Sequence, residues 1–300
     1  MRYDPGRDLR WLLLRPWIAI PRLIQVLWSL GGLVLVLLLQ GGSSDSAVQQ
    51  RLARRILNTL TGLGPCFIKV GQALSTRPDL VRRDWLEELT RLQDDLPAFP
   101  HALALERIEQ ELGAPAHELF DDFPDAPIAA ASLGQVYKAR LEGNAWVAVK
   151  VQRPNLTFIL RRDLVLIRLL GVITAPLLPL NLGFGLGDII DEFGRSLFEE
   201  IDYVQEADNA ERFASLFADN DAVYVPRVER MLSSTRVLTT TWIDGAKMRD
   251  SDELQALQLD PAALIRTGVI CGLQQLLEFG YFHADPVSYT HLTLPTTEAV

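Results

Sequence analysis

Cysteine is nearly absent from this sequence, and negative charge exceeds positive charge. The 300 residues include only Cys66 and Cys271, which give no disulfide framework and are typical of a protein in a reducing compartment. A formal net charge of −9 argues against a general nucleic-acid binder. The sequence has no internal repeat and no cluster of metal-ligating residues. With 48% hydrophobic and 22% charged residues, it can build one large or two small globular domains.

Lysine is also scarce, with four lysines against 25 arginines. One of them, Lys150, lies in Trp146–Val151, where it alternates with Val147, Val149 and Val151 as in a strand buried on one face. Lys150 is therefore on the face opposite to the valines. A lysine kept there indicates a site that needs a compact, mobile charge, and VAVK matches the V-A-I-K pattern of the phosphate-pairing lysine of kinases. The alternative is an edge-strand lysine that reaches solvent.

The first 55 residues are basic, while the rest of the chain is acidic. They contain eight arginines and three aspartates, a net charge of +5, so the remainder carries −14. Tryptophans stand beside arginines in residues 1–22, as at membrane interfaces. Leu23–Leu39 then runs 17 residues without a charge. As a helix this run would be about 25 Å long, the short limit for crossing a bilayer. A membrane-associated helix is the favoured interpretation, and a single span and a cleaved signal peptide are alternatives.

Two helices are predicted after this head. The first carries Lys69, Gly71 and Gln72. Lys69 and Gln72 share a face of this helix because they are three residues apart. Gly71 lets another segment approach that face. The second, Asp84–Leu96, has the pattern of an amphipathic helix. For a lysine on a helix face, a solvated position is the ordinary alternative.

A turn of small residues precedes the lysine strand. Ile128–Tyr137 is predicted to form a strand, a turn and a second strand, and a hairpin turn at Glu142–Asn144 leads into the lysine strand. Kinases place a Gly-rich phosphate loop at this position. Here alanines replace most of the glycines, so this loop should be stiffer.

Two further segments are predicted to be helical. Asp163–Leu182 is apolar but interrupted by two prolines, which favours a buried helical insert over a membrane span. Asp188–Phe213 is acidic, and on one regular helix Asp202 and Glu206 would share a face while Glu200 would point elsewhere. A solvated acidic face is the ordinary alternative; in a kinase, such a helix offers a glutamate partner to the lysine.

The C-terminal third is predicted to hold short strands and one long helix. The strands are Val223–Val225, Val228 and Arg236–Trp242, and the helix is Ala262–Phe279. His283-Ala284-Asp285 follows this helix and resembles the catalytic-loop H-R-D, whose aspartate receives a hydroxyl proton or positions the nucleophile.

In this order, the motifs resemble those of the UbiB/AarF family of atypical kinase-like proteins, also called the ABC1 or ADCK family. The resemblance covers about Leu60–Pro286 and rests on KVGQ, LSTRPDL, LQDDLP, AAASLGQVY, VAVKVQRP, EIDYVQEADN, WIDG and GYFHADP. The basic, Trp-rich head looks most like that of cyanobacterial and plastid members. The implied fold is α+β and atypical protein-kinase-like, with an N-terminal helical extension, a small lobe with an antiparallel sheet, and a helical large lobe that is incomplete here.

The resemblance also implies domain bounds. Residues 1–45 would be the membrane-associating head, 46–126 the helical extension that carries K-x-G-Q, and 127–244 the small lobe with its helical insert. Residues 245–286 would begin the large lobe and hold the catalytic loop. Residues 287–300 resemble nothing in the family and are interpreted as a non-native tail.

Site roles follow from the resemblance residue by residue. ATP or ADP, with Mg²⁺, would be the cofactor; Lys150 would contact the phosphates, Glu206 would pair with Lys150, and Asp285 would be the catalytic aspartate. The alanine-rich loop would cover the phosphates, and it comprises Ala129, Ala130, Ala131, Ser132 and Gly134. The regulatory residues would be those of the E-x-D and K-x-G-Q motifs, namely Glu200, Asp202, Lys69, Gly71 and Gln72. In the family the K-x-G-Q helix folds over the active site and blocks ordinary protein kinase activity.

The sequence departs from the family pattern after Pro286. The metal-binding asparagine expected five residues past Asp285 is Thr290, and no Asp-Phe-Gly follows. The resemblance therefore leaves the chain without metal ligands, and we expect the chain as it stands to be inactive, although a full-length protein would be an atypical kinase or ATPase.

The implied function is that of a membrane-associated, ATP-binding protein that supports prenylquinone biosynthesis or homeostasis, of the ubiquinone or plastoquinone type. Its kinase-like domain would lie on the cytoplasmic or stromal side. Its partners would be the membrane lipid surface and quinone-biosynthesis enzymes or prenylquinone precursors, with no nucleic acid. The alternatives are a conventional Ser/Thr protein kinase and a non-catalytic scaffold that binds nucleotide.

Overall fold

The computed structural model describes residues 3–79, 81–94, 96–177, 185–245, 254 and 259–281. The expected catalytic Asp285, Thr290 and the tail at 287–300 lie outside these described residues.

The N-terminal part of the chain is helical. Proline occupies the first turn of three of its helices, where the missing N–H has no intrahelical role. Asp4 and Asp45 cap two helices by accepting hydrogen bonds from the backbone N–H groups of Arg7 and Ala47, each at 2.9 Å. The helices are α1 (Pro5–Leu13), α2 (Pro16–Gln40), α3 (Ser46–Leu63), α4 (Pro65–Ser75) and α5 (Arg83–Asp94). The last two confirm the helices predicted around Lys69 and over 84–96.

Four antiparallel strands form one sheet in the order β1 (Ala129–Ala130), β2 (Gly134–Arg140), β3 (Trp146–Gln152) and β4 (Val237–Thr241). One face is buried against α6 (His101–Leu112) and α7 (Ala116–Leu119), and its residues include Tyr137, Val147, Val149 and Val151. The other face carries Lys150, which lies between Val136 and Leu238 of the neighbouring strands. The predicted lysine strand and its alternation are thus confirmed.

The hairpin between β2 and β3 is also as predicted. Glu142, Gly143 and Asn144 form a three-residue loop, in which Gly143 and Asn144 have positive φ angles of 85° and 70°. The N–H of Asn144 donates to the carbonyl of Leu141 at 3.1 Å.

The strand expected at Val223–Val225 was wrong. This segment is irregular, and only Val228 forms an isolated bridge, with Thr240 of β4. Pro226 lies between them and has no N–H to donate to a ladder, so the pairing begins after it.

The single helix expected over 188–213 was also wrong. The structure has α9 (Leu186–Glu200) and α10 (Tyr203–Leu216), separated by Ile201 and Asp202. The carbonyl of Ile201 accepts a hydrogen bond from Gln152 Nε2 at 2.8 Å, and Asp202 becomes the N-cap of α10. The break changes the direction of the side chains after it, so the relation of Glu200 to Glu206 no longer follows from one helical period.

Helix α8 (Leu156–Thr174) begins earlier than the predicted apolar insert. Leu160 and Leu164 are fully buried, but Val172 and Ile173 near its end are largely exposed. The prediction of a buried insert therefore holds for the first part of the helix only.

The long C-terminal helix is confirmed as α11 (Pro261–Gln274), which continues in a π-helical turn at Gln275–Phe279. Six of its large apolar side chains are exposed, and they are Ile265, Val269, Ile270, Leu273, Leu276 and Leu277.

Polar contacts fasten the N-terminal helices to the body of the protein. Each joins a residue of the first 22 to α8 or α9, across more than 140 residues of sequence. The three pairs are Tyr3–Asp191, Asp8–Arg161 and Arg22–Asp163.

Candidate nucleotide site

The lysine-bearing face of the sheet holds a two-pronged ion pair. Lys150 Nζ lies 2.8 Å from both carboxylate oxygens of Glu206, which is in the first turns of α10. The two side chains keep 33% and 39% of their surface exposed. The pair therefore lies on the open face of the sheet and is partly exposed to solvent.

The ring of Tyr203 lies beneath this ammonium, with its centroid 4.6 Å from Lys150 Nζ. At this distance the electron-rich ring face attracts the cation. Tyr203 is fully buried, and its hydroxyl has no hydrogen-bond partner within the described part of the chain. Burial raises the pKa of Tyr203 to about 12.

The charge state of Lys150 is set by opposing effects. Burial disfavours the ammonium, but the carboxylates of Glu206 and Glu200 outweigh it and raise the pKa of Lys150. The lysine is therefore a cation at neutral pH, as phosphate binding requires.

A second ion pair lies beside the first. Lys69 of α4 forms a salt bridge with Glu200 at the end of α9. Gln72 does not face this pair; its Nε2 donates to the carbonyl of Leu92 in α5, at 2.7 Å. The K-x-G-Q helix is thus tied to α9 by its lysine and to α5 by its glutamine.

Gly71 allows α4 to pack this closely. A Cβ at this position would collide with a methyl group of Leu92 and would lie 2.8 Å from a methyl group of Leu60. Glycine thus allows the close contact that the sequence predicted, and a larger residue would force the side chains of Leu92 and Leu60 to move.

The alanine-rich segment forms a tight turn between β1 and β2. The N–H of Ala131 donates to the carbonyl of Gly134 at 2.8 Å, and Ser132 is buried. A Cβ on Gly134 would lie 2.6 Å from the carbonyl oxygen of Val151 and 2.8 Å from the Tyr203 hydroxyl, so a larger residue is excluded. Arg153 holds the turn from outside by donating to the carbonyl of Ala131 at 2.9 and 3.0 Å.

The structure brings together some of the predicted site residues and separates others. Lys150, Glu206 and Glu200 act on one another electrostatically, and Lys69 pairs with Glu200. Asp202 instead caps α10, where its carboxylate accepts a hydrogen bond from the N–H of Gln205. No group of three or more His, Cys, Asp or Glu side chains in the described ranges could hold a metal ion.

Lys138 shares the face of Lys150, one residue pair further along the sheet. Its Nζ lies 4.5 Å from the ring centroid of Trp242, 5.1 Å from that of Trp146, and 3.5 Å from Asp244 Oδ1. Each of the three lysines in the described ranges therefore has an anionic or aromatic partner, and Lys247 lies outside those ranges.

Three residues with a role in this geometry were not singled out from the sequence. Tyr203 lies under the lysine, Gln152 fixes the break between α9 and α10, and Arg153 holds the alanine-rich turn. A signal was available for Gln152, because a residue two positions after Lys150 shares its face of the strand. Tyr203 and Arg153 act through contacts that no local pattern indicates.

Comparisons with known proteins identify the family of this chain. The sequence profile of the ABC1 atypical kinase-like domain matches residues 91–288. A Synechocystis protein, slr1919, is 50% identical over 287 residues, which is 95% of this chain and 50% of the relative. Protein ACTIVITY OF BC1 COMPLEX KINASE 1, chloroplastic, of Arabidopsis thaliana is 42% identical over 270 residues, which is 89% of this chain and 39% of the relative.

A solved structure, the complex of Rv3197 with erythromycin from Mycobacterium tuberculosis, is 33% identical, with a TM-score of 0.43 over 60% of this chain and 45% of that one. The chain spans about half the length or less of the Synechocystis and Arabidopsis relatives. The profile match covers about two thirds of the sequence, including the strand of Lys150 and the helix of Glu206, and so the chain belongs to the ABC1 family of atypical kinase-like proteins.

Proposed function

We propose that this chain binds ATP or ADP at the Lys150 face of the sheet, and that the whole protein is a membrane-associated atypical kinase or ATPase that supports prenylquinone metabolism. The observation that carries the nucleotide part is the ion pair of Lys150 with Glu206, at 2.8 Å and open to solvent. Kinases use this kind of pair to hold a lysine on the nucleotide phosphates.

The residues present fit a nucleotide. Lys150 supplies a charged ammonium, and the turn from Ala129 to Gly134 lies at the end of the same sheet, where phosphates would be covered. When bound, ATP with Mg²⁺ supplies the phosphoryl group that a kinase-like domain transfers. The contribution of this chain is to orient the phosphates and neutralise their charge through Lys150.

The helix α4 favours an unorthodox activity over that of a conventional protein kinase. Lys69 and Gln72 tie it to α9 and α5, close to Glu200 and hence to Lys150. A peptide substrate would have to displace this helix and break both contacts. Hydrolysis of ATP, or transfer to a small acceptor, requires no such displacement.

Support for the membrane part comes from α2. By length and composition it is the one helix, among those described, that could cross a membrane. The prenylquinone part rests on the family resemblance alone.

Nucleotide binding by the purified chain tests the first part of the proposal. We expect a fluorescent ADP analogue to bind the unmodified chain, and Glu206→Gln to weaken binding at least tenfold, because the neutral amide no longer positions the lysine. The matched control is Glu211→Gln, the same substitution five residues later on the same helix, where the carboxylate pairs with Arg230 at the surface. Equal affinity of the two variants would overturn the assignment.

The prenylquinone part needs the intact protein in its own cell. A deletion strain should contain less prenylquinone, or accumulate a precursor, and the wild-type protein should restore the profile while Lys150→Met should not. An unchanged quinone profile in the deletion strain would remove this part of the proposal and leave nucleotide binding standing.

A further inference from the structure

Helix α2 is apolar on two opposite sides. One side packs on the body of the protein through Val26 and Leu33, which are buried. The other side is exposed over the whole length of the helix, and its side chains recur at intervals of three and four residues. They are Trp17, Ile20, Ile24, Leu27, Trp28, Val34, Leu35, Leu38 and Leu39. This set, here called the outer face of α2, contains no charged residue.

The side toward the body is fixed by a charged contact. Arg22 Nε and one terminal nitrogen donate to the two carboxylate oxygens of Asp163 in α8, at 3.0 and 2.7 Å. The guanidinium also donates to Gln25 Oε1 at 2.7 Å and to the carbonyl of Leu63. Arg22 is 9% exposed and Asp163 is not exposed at all. A helix that crossed a bilayer would have to separate Arg22 from Asp163, which is buried in the body and would keep only Arg162 as a charged partner, and breaking a buried pair is costly.

The two tryptophans of the outer face give a second argument. Trp17 and Trp28 are 70% and 84% exposed. They are eleven residues apart in sequence, which is about 16 Å along a helix. The hydrocarbon core of a bilayer is about 30 Å thick, so the two rings cannot reach its opposite interfaces. On a helix parallel to the membrane they lie at one depth, in one interface.

Charge complementarity favours a lipid surface over other occupants of this face. The segment that carries the outer face is basic, with a net charge of +5 over residues 1–55 of a chain whose total is −9. Exposed arginines stand on both helices that flank α2, among them Arg10 on α1 and Arg51 and Arg55 on α3. Arginine beside tryptophan and leucine is the composition of helices that lie in the headgroup region of anionic membranes.

We propose that α2 lies parallel to the surface of an anionic phospholipid bilayer, with its outer face inserted and its inner side held on the kinase-like body by Arg22 and Asp163. This orientation rests on the membrane association in the proposed function. It adds that α2 lies in one interface and does not cross the bilayer. The nucleotide face is then held at a fixed distance from the lipid by a rigid contact.

Depth measurements test the orientation. In a Cys271→Ser background, which leaves only the buried Cys66, single cysteines are placed at Ile20 or Gly31, two exposed positions on the same side of α2, and labelled with a polarity-sensitive fluorophore. The protein is bound to vesicles of phosphatidylcholine and phosphatidylglycerol, and quenching by lipids labelled at different depths is recorded. A parallel helix predicts equal depths for the two positions. In a crossing by Leu23–Leu39, whose middle residue is Gly31, the Gly31 label would lie near the bilayer centre and the Ile20 label about 16 Å farther from it, and that result would overturn the orientation.

Flotation with the same vesicles identifies the occupant. Trp28→Glu should reduce binding at least tenfold. The control is Met231→Glu, which adds the same charge at a residue that is 92% exposed and distant in sequence, and it should bind as the unmodified chain does. Vesicles of phosphatidylcholine alone should bind more weakly. Failure of the unmodified chain to float would refute the membrane part of the proposed function as well. Flotation with unequal label depths refutes only the orientation, and a stable dimer that Trp28→Glu dissolves would assign the outer face to a second copy.

Discussion

Two ion pairs in this protein have similar geometry and opposite surroundings. Arg22 and Asp163 form a two-pronged pair that is almost fully enclosed, and Arg162 also donates to Asp163, at 2.8 Å. Lys150 and Glu206 form a two-pronged pair that keeps a third or more of each side chain in solvent. The first pair has its hydrogen-bonding groups satisfied by protein, while the second is partly exposed to solvent.

The two pairs differ in what they contribute: the enclosed pair holds the fold together, and the exposed pair can take part in binding. An enclosed pair contributes little net stability when intact, but removal of one partner leaves an uncompensated buried charge. An exposed pair is weak because water and salt screen it. A phosphate can therefore compete with Glu206 for Lys150. No solvent anion can replace Asp163 as the partner of Arg22 unless the head first separates from α8.

The largest expected effect is at the enclosed pair. Asp163→Asn should lower the free energy of unfolding by about 3–5 kcal/mol, because Arg22 would remain buried without a counter-charge. Urea denaturation followed by circular dichroism measures the change. The control, Glu192→Gln, removes a carboxylate from an exposed pair with Arg195 and should leave the denaturation midpoint unchanged. A small effect of Asp163→Asn would show that the head is not integral to the fold.

An intermediate effect is expected at Gly71, where α4 meets its neighbours. Gly71→Ala should destabilise the protein by about 1–3 kcal/mol, because the added methyl group collides with Leu92 and approaches Leu60. Gly62→Ala in α3 is the matched control; it has open space around it and should stabilise the helix by up to about 1 kcal/mol. Equal thermal midpoints for the two variants would show that α4 adjusts its position at little cost.

The smallest effect on stability is expected at the open pair. Lys150→Met should change the free energy of unfolding by less than about 1 kcal/mol at pH 8. Because folding raises the pKa of Lys150, the stabilisation is present below the unfolded lysine pKa of about 10.4 and is lost as the pH rises through the folded value. The difference between the variant and the unmodified chain should therefore shrink above pH 10.4 in urea titrations at several pH values. A difference that grows with pH would contradict the assigned partners.

The local sequence pattern was sufficient to predict the strand and the helix that carry Lys150 and Lys69. Alternation placed Lys150 on the open face of a strand, and helical spacing placed Lys69 on a helix whose glycine allows close contact. Both features depend on residues close in sequence, so periodicity captures them. The pairing of Lys150 with Glu206 came from the resemblance and has the geometry that the resemblance implies.

Long-range contacts explain what the pattern could not predict. The break at Ile201 depends on the side chain of Gln152, 49 residues earlier, and an acidic helical pattern gives no sign of it. Asp163 was treated as the start of an apolar insert, although its partner is an arginine 141 residues away. The sequence analysis treated the N-terminal head and the apolar insert as separate segments. In the structure, Arg22 of the head pairs with Asp163 of the insert.

The contacts of the head also have a consequence during synthesis. Arg22 leaves the ribosome 141 residues before Asp163, and Tyr3 leaves it 188 residues before Asp191. At about 5–20 residues per second, the head waits for roughly 7–28 s before the partner of Arg22 exists. During that interval both sides of α2 are uncovered, so the nascent chain can meet a membrane or a chaperone before the body that will fix its orientation has been made.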